Sequence, residues 1–90
     1  AKMARKLAGD SFLRREVEAE AVEAARAAGA PAADARLAVT GTGQIVLDVF
    51  CEHLDFDRGY AARRVWRAVQ EKVRRLGYRK LRCRVVFLKR

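Results

Sequence analysis

The stretch ARLAVTGTGQIVLDVFCEHL, residues 35–54, decides how the rest of the chain must be arranged. Apolar and polar residues alternate on both sides of Gly41-Thr42-Gly43, the period of a strand with one face buried. Glycine accepts the positive backbone angles that a tight reversal demands, so the segment predicts a β-hairpin. A Gly-x-Gly can also open a phosphate loop. This one joins two strands and lacks both the following helix start and the lysine of a nucleotide-binding loop, so the turn accounts for it.

Outward from the hairpin the period changes to that of helices. Residues 11–28 place Leu13, Val17, Ala21, Ala24 and Ala28 on one face, with Phe12, Val22 and Ala25 beside it. Glu16, Glu18, Glu20 and Glu23 cover the rest, so this helix is acidic outside and apolar inside. Asp10 or Ser11 caps its start, Gly29 supplies a left-handed stop, and Pro31 forbids continuation. A second helix is expected over residues 58–76, capped by Asp55 or Asp57 and closed by Gly77. Its apolar stripe reads Ala62, Val65, Trp66, Val69, Val73 and Leu76, which makes Trp66, with Tyr60 beside it, a core anchor. Residues 81–88, LRCRVVFL, alternate again and form a last strand.

A helix that joins two strands of one sheet crosses right-handed, which puts both helices on the same side. The expected fold is therefore α+β, a two-layer α-β-β-α-β sandwich with a three-stranded sheet and two helices on one face. Ninety residues suffice for one such domain, residues 11–90, behind a basic N-terminal segment, residues 1–10, with Lys2, Arg5 and Lys6. A 51% hydrophobic content argues against disorder despite a net charge of +9. No apolar run approaches the roughly 20 residues that cross a bilayer, and nothing resembles a signal peptide.

Strand alternation sorts side chains by face. Leu37, Val39, Ile45, Leu47, Val49, Cys51, Leu81, Cys83, Val85 and Phe87 form one apolar set that must meet the helices. The opposite face receives Arg36, Asp48, Arg82 and Arg84 together with Val46, Phe50, Val86 and Leu88. An apolar cluster rimmed by charge marks an interaction surface. Three uses fit it: self-association through Val46, Phe50, Val86 and Leu88, giving a homodimer or larger homo-oligomer; an RNA platform with Phe50 stacking a base; or cover from residues 1–9 through Met3 and Leu7. Self-association ranks first.

Charge is distributed unevenly. Residues 1–59 hold 8 Lys/Arg against 10 Asp/Glu, a balance of −2, whereas residues 60–90 hold 12 Lys/Arg against Glu71 alone, a balance of +11. At 100° per residue Arg63, Arg67 and Arg74 share one line of the second helix, while Glu71 is placed to pair with Arg67 or Arg75. Planar guanidinium groups hold phosphate oxygens two at a time. The sequence thus points to a polyanion, RNA or DNA, bound by Arg63, Arg67, Arg74, Arg75, Arg79, Lys80, Arg82 and Arg84, with Tyr78 as a candidate base contact. The structural alternative is a plain solvated helix face, but such faces usually mix signs.

Other chemistries find little support. His53 is the only imidazole; with Glu52, Asp55 and Asp57 it makes a small polar cluster that helix capping explains as well as metal binding does. Two cysteines and one histidine cannot by themselves complete a tetrahedral zinc site. Cys51 and Cys83 read as buried free thiols of a reducing, cytoplasmic protein, with a disulfide between them as the alternative. No nucleophile has a local histidine partner, so no enzyme, cofactor or small-molecule substrate is expected. The element order over residues 11–88 resembles that of type II KH-like RNA-binding domains, the cytoplasmic domains of cation-diffusion transporters, the alkaline-shock-type proteins and the ring-building modules of secretion systems. The KH resemblance implies nucleic-acid binding, yet the Gly-x-x-Gly clamp is absent, and a single histidine does not supply the transporter ligands.

Overall fold

The computed structural model describes residues 9–90, so the proposed cover by Met3 and Leu7 lies outside the described residues. Its elements are α1 (Ser11–Ala27), β1 (Ala32–Val39), β2 (Ile45–Cys51), α2 (Arg58–Arg75) and β3 (Cys83–Lys89). The fold is α+β in the expected order, a three-stranded mixed sheet with two helices packed together and against it. Strand order is β1-β2-β3. β1 pairs antiparallel with β2 through the hairpin, and α2 carries the chain across so that β3 lies parallel to β2. Among the described residues no helix is long and apolar enough to cross a membrane.

Local chemistry sets the boundaries. Asp10 accepts a hydrogen bond from the Leu13 amide at 3.0 Å and caps α1, and Asp57 does the same for the Tyr60 amide at the start of α2. Each helix ends in the same hydrogen-bonded motif around a left-handed glycine, Gly29 at φ 91° and Gly77 at φ 95°. At the second of these, the Gly77 amide donates to the Arg74 carbonyl and the Tyr78 amide to the Val73 carbonyl. In the hairpin Gly43 takes φ 83°, and the Thr40 hydroxyl accepts from the Gln44 amide.

The core lies between helices and sheet. Leu13, Val17, Ala21 and Ala25 of α1 meet Leu37, Leu47, Val49 and Cys51 of the sheet and Val65, Val69 and Val73 of α2. The helix-facing strand residues are those that alternation selected, although Val39, Cys83, Val85 and Phe87 are only half-buried. Ala61, in place of Ala62, is the fully buried alanine of α2, and Gln70 joins the buried set. Three expectations fail at the surface, at Phe12, Tyr60 and Trp66. Phe12 is 61% exposed at the start of α1, and Trp66, expected in the core, is 38% exposed. Small alanines let α2 press against α1, while its contact with β3 is slight, so the side of α2 that carries Trp66 looks over β3 with little above it.

The two sheet edges differ. On β1, Glu18 accepts from the Leu37 amide at 2.8 Å, Arg26 donates to the Ala32 carbonyl at 2.8 Å, and the Asp34 carboxylate accepts from the Ala35 amide. These side chains blunt that edge. On β3 the Arg90 amide donates inward to Cys51, and alternation then turns the backbone groups of Cys83, Val85, Phe87 and Lys89 outward. No hydrogen bond among the described residues reaches them.

Candidate functional site

The basic residues of α2 fall into two groups according to what faces them. Toward α1, Lys72 pairs with Glu16 at 3.1 Å and Arg75 with Glu20 at 3.5 Å. The acidic helix therefore neutralises one flank of the basic one. Glu71, expected to pair with Arg67 or Arg75, makes no ion pair among the described residues. It lines a groove between the helices of about 440 Å³ together with Glu20, Glu23, Arg64 and Arg67. That groove has mixed sign and holds no net cationic field of its own.

Arg63, Arg67 and Arg74 are exposed, and none of them joins an ion pair among the described residues, although Arg67 also borders the groove that Glu20, Glu23 and Glu71 line. Low neutralisation of this row was legible from helical spacing. The sequence reading missed what stands beside it. Trp66 stands beside Arg63 and Arg67, and these three with Ala62 and Val85 line a cleft of about 380 Å³ between α2 and β3. The Lys80 ammonium reaches back from the loop before β3 to 5.7 Å from the indole centroid, a cation–π contact. Tyr60, also read as a core anchor, is 43% exposed, and the Arg64 guanidinium lies 6.0 Å from its ring centroid. The available signal was the position of Trp66 at the margin of the apolar stripe, next to the line of Arg63 and Arg67.

The loop that brings Lys80 into place is held by Gln70. Its amide nitrogen donates to the Leu81 carbonyl at 2.6 Å, and its amide oxygen accepts from the Leu81 amide at 2.9 Å. Both groups are buried, so these bonds satisfy backbone that would otherwise be stranded in the core. Leu81 itself is fully buried, one residue after Lys80. Arg79 and Arg82 are exposed in the same connection, and Tyr78 is half-buried against the core.

Arg84 lies elsewhere. It pairs in register with Val46 on the sheet face that carries no helix, where Asp48 is opposite Val86 and Phe50 opposite Leu88. The four residues assigned to self-association therefore share one face, with Phe50 and Leu88 as direct neighbours. Leu88 is 38% exposed, and Val46, Phe50 and Val86 are half-buried. Asp48 and Arg84 interrupt the apolar area, so the patch is mixed.

The remaining groups are ordinary in their surroundings. The His53 ring nitrogen Nδ1 accepts from the Asp55 amide at 3.1 Å, and Asp57 is occupied in capping. Among the described residues no group of three His, Cys, Asp or Glu side chains gathers as a metal site. Cys51 and Cys83 are free thiols. Burial pushes both up, Cys83 to about 11. In comparisons with family models, curated proteins and solved structures, none matches this chain.

Proposed function

We propose that the protein is a non-enzymatic nucleic-acid-binding module that holds the phosphate backbone of RNA or DNA with the basic face of α2 and the connection into β3. One observation carries this reading. The Arg63, Arg67 and Arg74 row is exposed and makes no ion pair among the described residues, whereas the flank toward α1 is neutralised. Three guanidinium groups on one helix line present bidentate donors over a span of about 16 Å, long enough for several phosphates. Arg79 and Lys80 extend the same field, and Arg82 and Arg84 carry it toward the other sheet face. Such contacts position a protein on a nucleic acid without reading its sequence. The free thiols suit a reducing cytoplasm.

The experiment is a salt titration of binding to mixed-sequence RNA and DNA. Affinity should fall steeply with salt, and reversing Arg63, Arg67 and Arg74 to glutamate should lower the log–log slope by about 2–3. A folded triple variant that binds like the wild type would remove the helix from the interface. A second reading rests on the Phe50–Leu88 pair, which leaves apolar surface on the sheet face without cover among the described residues. In that reading two copies meet sheet to sheet, which also doubles the basic surface.

A further inference from the structure

We infer that the cleft between α2 and β3 is a base-stacking site for single-stranded nucleic acid, with Trp66 as the platform and Lys80, Arg63 and Arg67 as its phosphate contacts. The inference rests on the nucleic-acid reading above and narrows it to the unpaired strand. Recognition of a single strand requires an aromatic plate beside cations, because every base has a flat face to stack and every nucleotide brings a phosphate. The cleft supplies both. Its volume of about 380 Å³ is lined by the indole, by the apolar Ala62 and Val85, and by two arginines. Pockets of about 300–1,000 Å³ are the usual size for small planar ligands.

Lys80 gives the second, independent observation. It belongs to the loop before β3, yet its ammonium lies 5.7 Å from the indole centroid. Trp66 is 38% exposed, and the ammonium over its ring marks a face that attracts cations. An incoming base competes for this face. The displaced ammonium stays tethered beside it, where the nucleotide's phosphate arrives. Arg63 and Arg67, one helical turn apart, then take the adjoining phosphates. A duplex offers no unstacked base to the indole and engages only the arginine row.

The main rival occupant is an acidic extended peptide pairing with the open edge of β3, which would place its carboxylates on the same cations. The test uses the full chain and the fluorescence of Trp66, the only tryptophan. Oligo-uridylate, oligo-thymidylate, a duplex of equal length and polyglutamate are each titrated at low salt. The expected result is quenching and a spectral shift with the single strands but not with the duplex. The two single-strand arms tell RNA from DNA. Trp66→Ala should weaken single-strand binding about tenfold, with duplex binding unchanged and Trp66→Phe retaining most of the affinity.

If Trp66→Ala and Trp66→Phe bind single strands as the wild type does, while reversal of Arg63, Arg67 and Arg74 abolishes binding, the stacking site is wrong and the basic row stands. Equal quenching by duplex and single strand also overturns it. Quenching by polyglutamate that matches the single strands assigns the cleft to an acidic peptide instead. Absence of binding to every nucleic acid overturns both readings. Should the alanine variant fail to fold, the wild-type quenching by single strand against duplex decides alone.

Discussion

Gln70 and Leu81 hold each other as two strand residues would, with the side-chain amide of one reading both backbone groups of the other at 2.6 and 2.9 Å. The pair ties the middle of α2 to the chain just before β3 and so determines where Lys80 leaves the core. Replacing Gln70 with leucine keeps the volume but strands two buried backbone groups, at a cost of about 2–4 kcal/mol. Urea denaturation should show this as a lower midpoint. The cation–π contact at Trp66 should be lost with it, visible as altered tryptophan emission in the native state. An unchanged midpoint would mean that water replaces both bonds.

Cysteine ionisation gives a pH dependence. The Cys83 thiol is raised from 9.0 to about 11 by desolvation. The folded state therefore keeps its proton where the unfolded chain has lost it. Stability from this group is complete below about pH 9 and falls as the pH rises toward 11. In Cys83→Ala the decline over that window should be shallower than in the wild type, by at most about 2–3 kcal/mol. At pH 8 native Cys83 should alkylate far more slowly than after unfolding, since burial keeps the thiol protonated. Mass spectrometry of timed samples measures this directly.

Basic residues on the two flanks of α2 should respond differently to charge reversal. Lys72 and Arg75 already face Glu16 and Glu20, so Lys72→Glu with Arg75→Glu should destabilise by about 1 kcal/mol and change nucleic-acid affinity less than the Arg63, Arg67, Arg74 triple. The triple should leave the melting temperature nearly untouched. Equal losses of affinity from the two sets would point to net charge rather than to a located row.

The sheet face makes a prediction of its own. Phe50 stands beside Leu88 with neither fully buried, so Phe50→Glu should fold normally. If sheets meet face to face, sedimentation of the wild type will show a dimer and the variant a monomer. A wild type that stays monomeric at high concentration ends the sheet-face reading.

Gly77 closes α2 at φ 95°, and a Cβ added there meets nothing within 4 Å. Gly77→Ala should therefore cost about 1–2 kcal/mol through backbone conformation alone. Gly77→Asn should recover part of that, as asparagine tolerates the left-handed region better. Thermal denaturation of the two variants separates this conformational cost from any loss of packing.

The local elements were legible because each depends on interactions a few residues apart. Alternation around Gly41-Thr42-Gly43 yields the hairpin, Asp10 and Asp57 the helix starts, and Gly29 and Gly77 the stops. Handedness of the crossover then leaves one side of the sheet for both helices. Spacing along α2 likewise places Arg63, Arg67 and Arg74 on one line, since 3.6 residues per turn is a property of the backbone.

The fate of side chains at the margin of an apolar stripe was not legible. Trp66 and Ala62 belong to the α2 pattern as much as Val65 and Val69 do. Whether such residues are covered depends on how far the next layer extends. α2 packs closely on α1 and only slightly on β3, so Trp66 is left at the rim of a cleft. Gln70 shows the converse, a polar residue on the same margin buried because Leu81 returns to meet it. The sequence by itself determined the elements, their order and the alignment of Arg63, Arg67 and Arg74 on one helix line, all through short-range geometry. Only the tertiary structure decided which flank of α2 is neutralised and that an indole and a lysine from a later loop stand beside the other, because those are distances between layers.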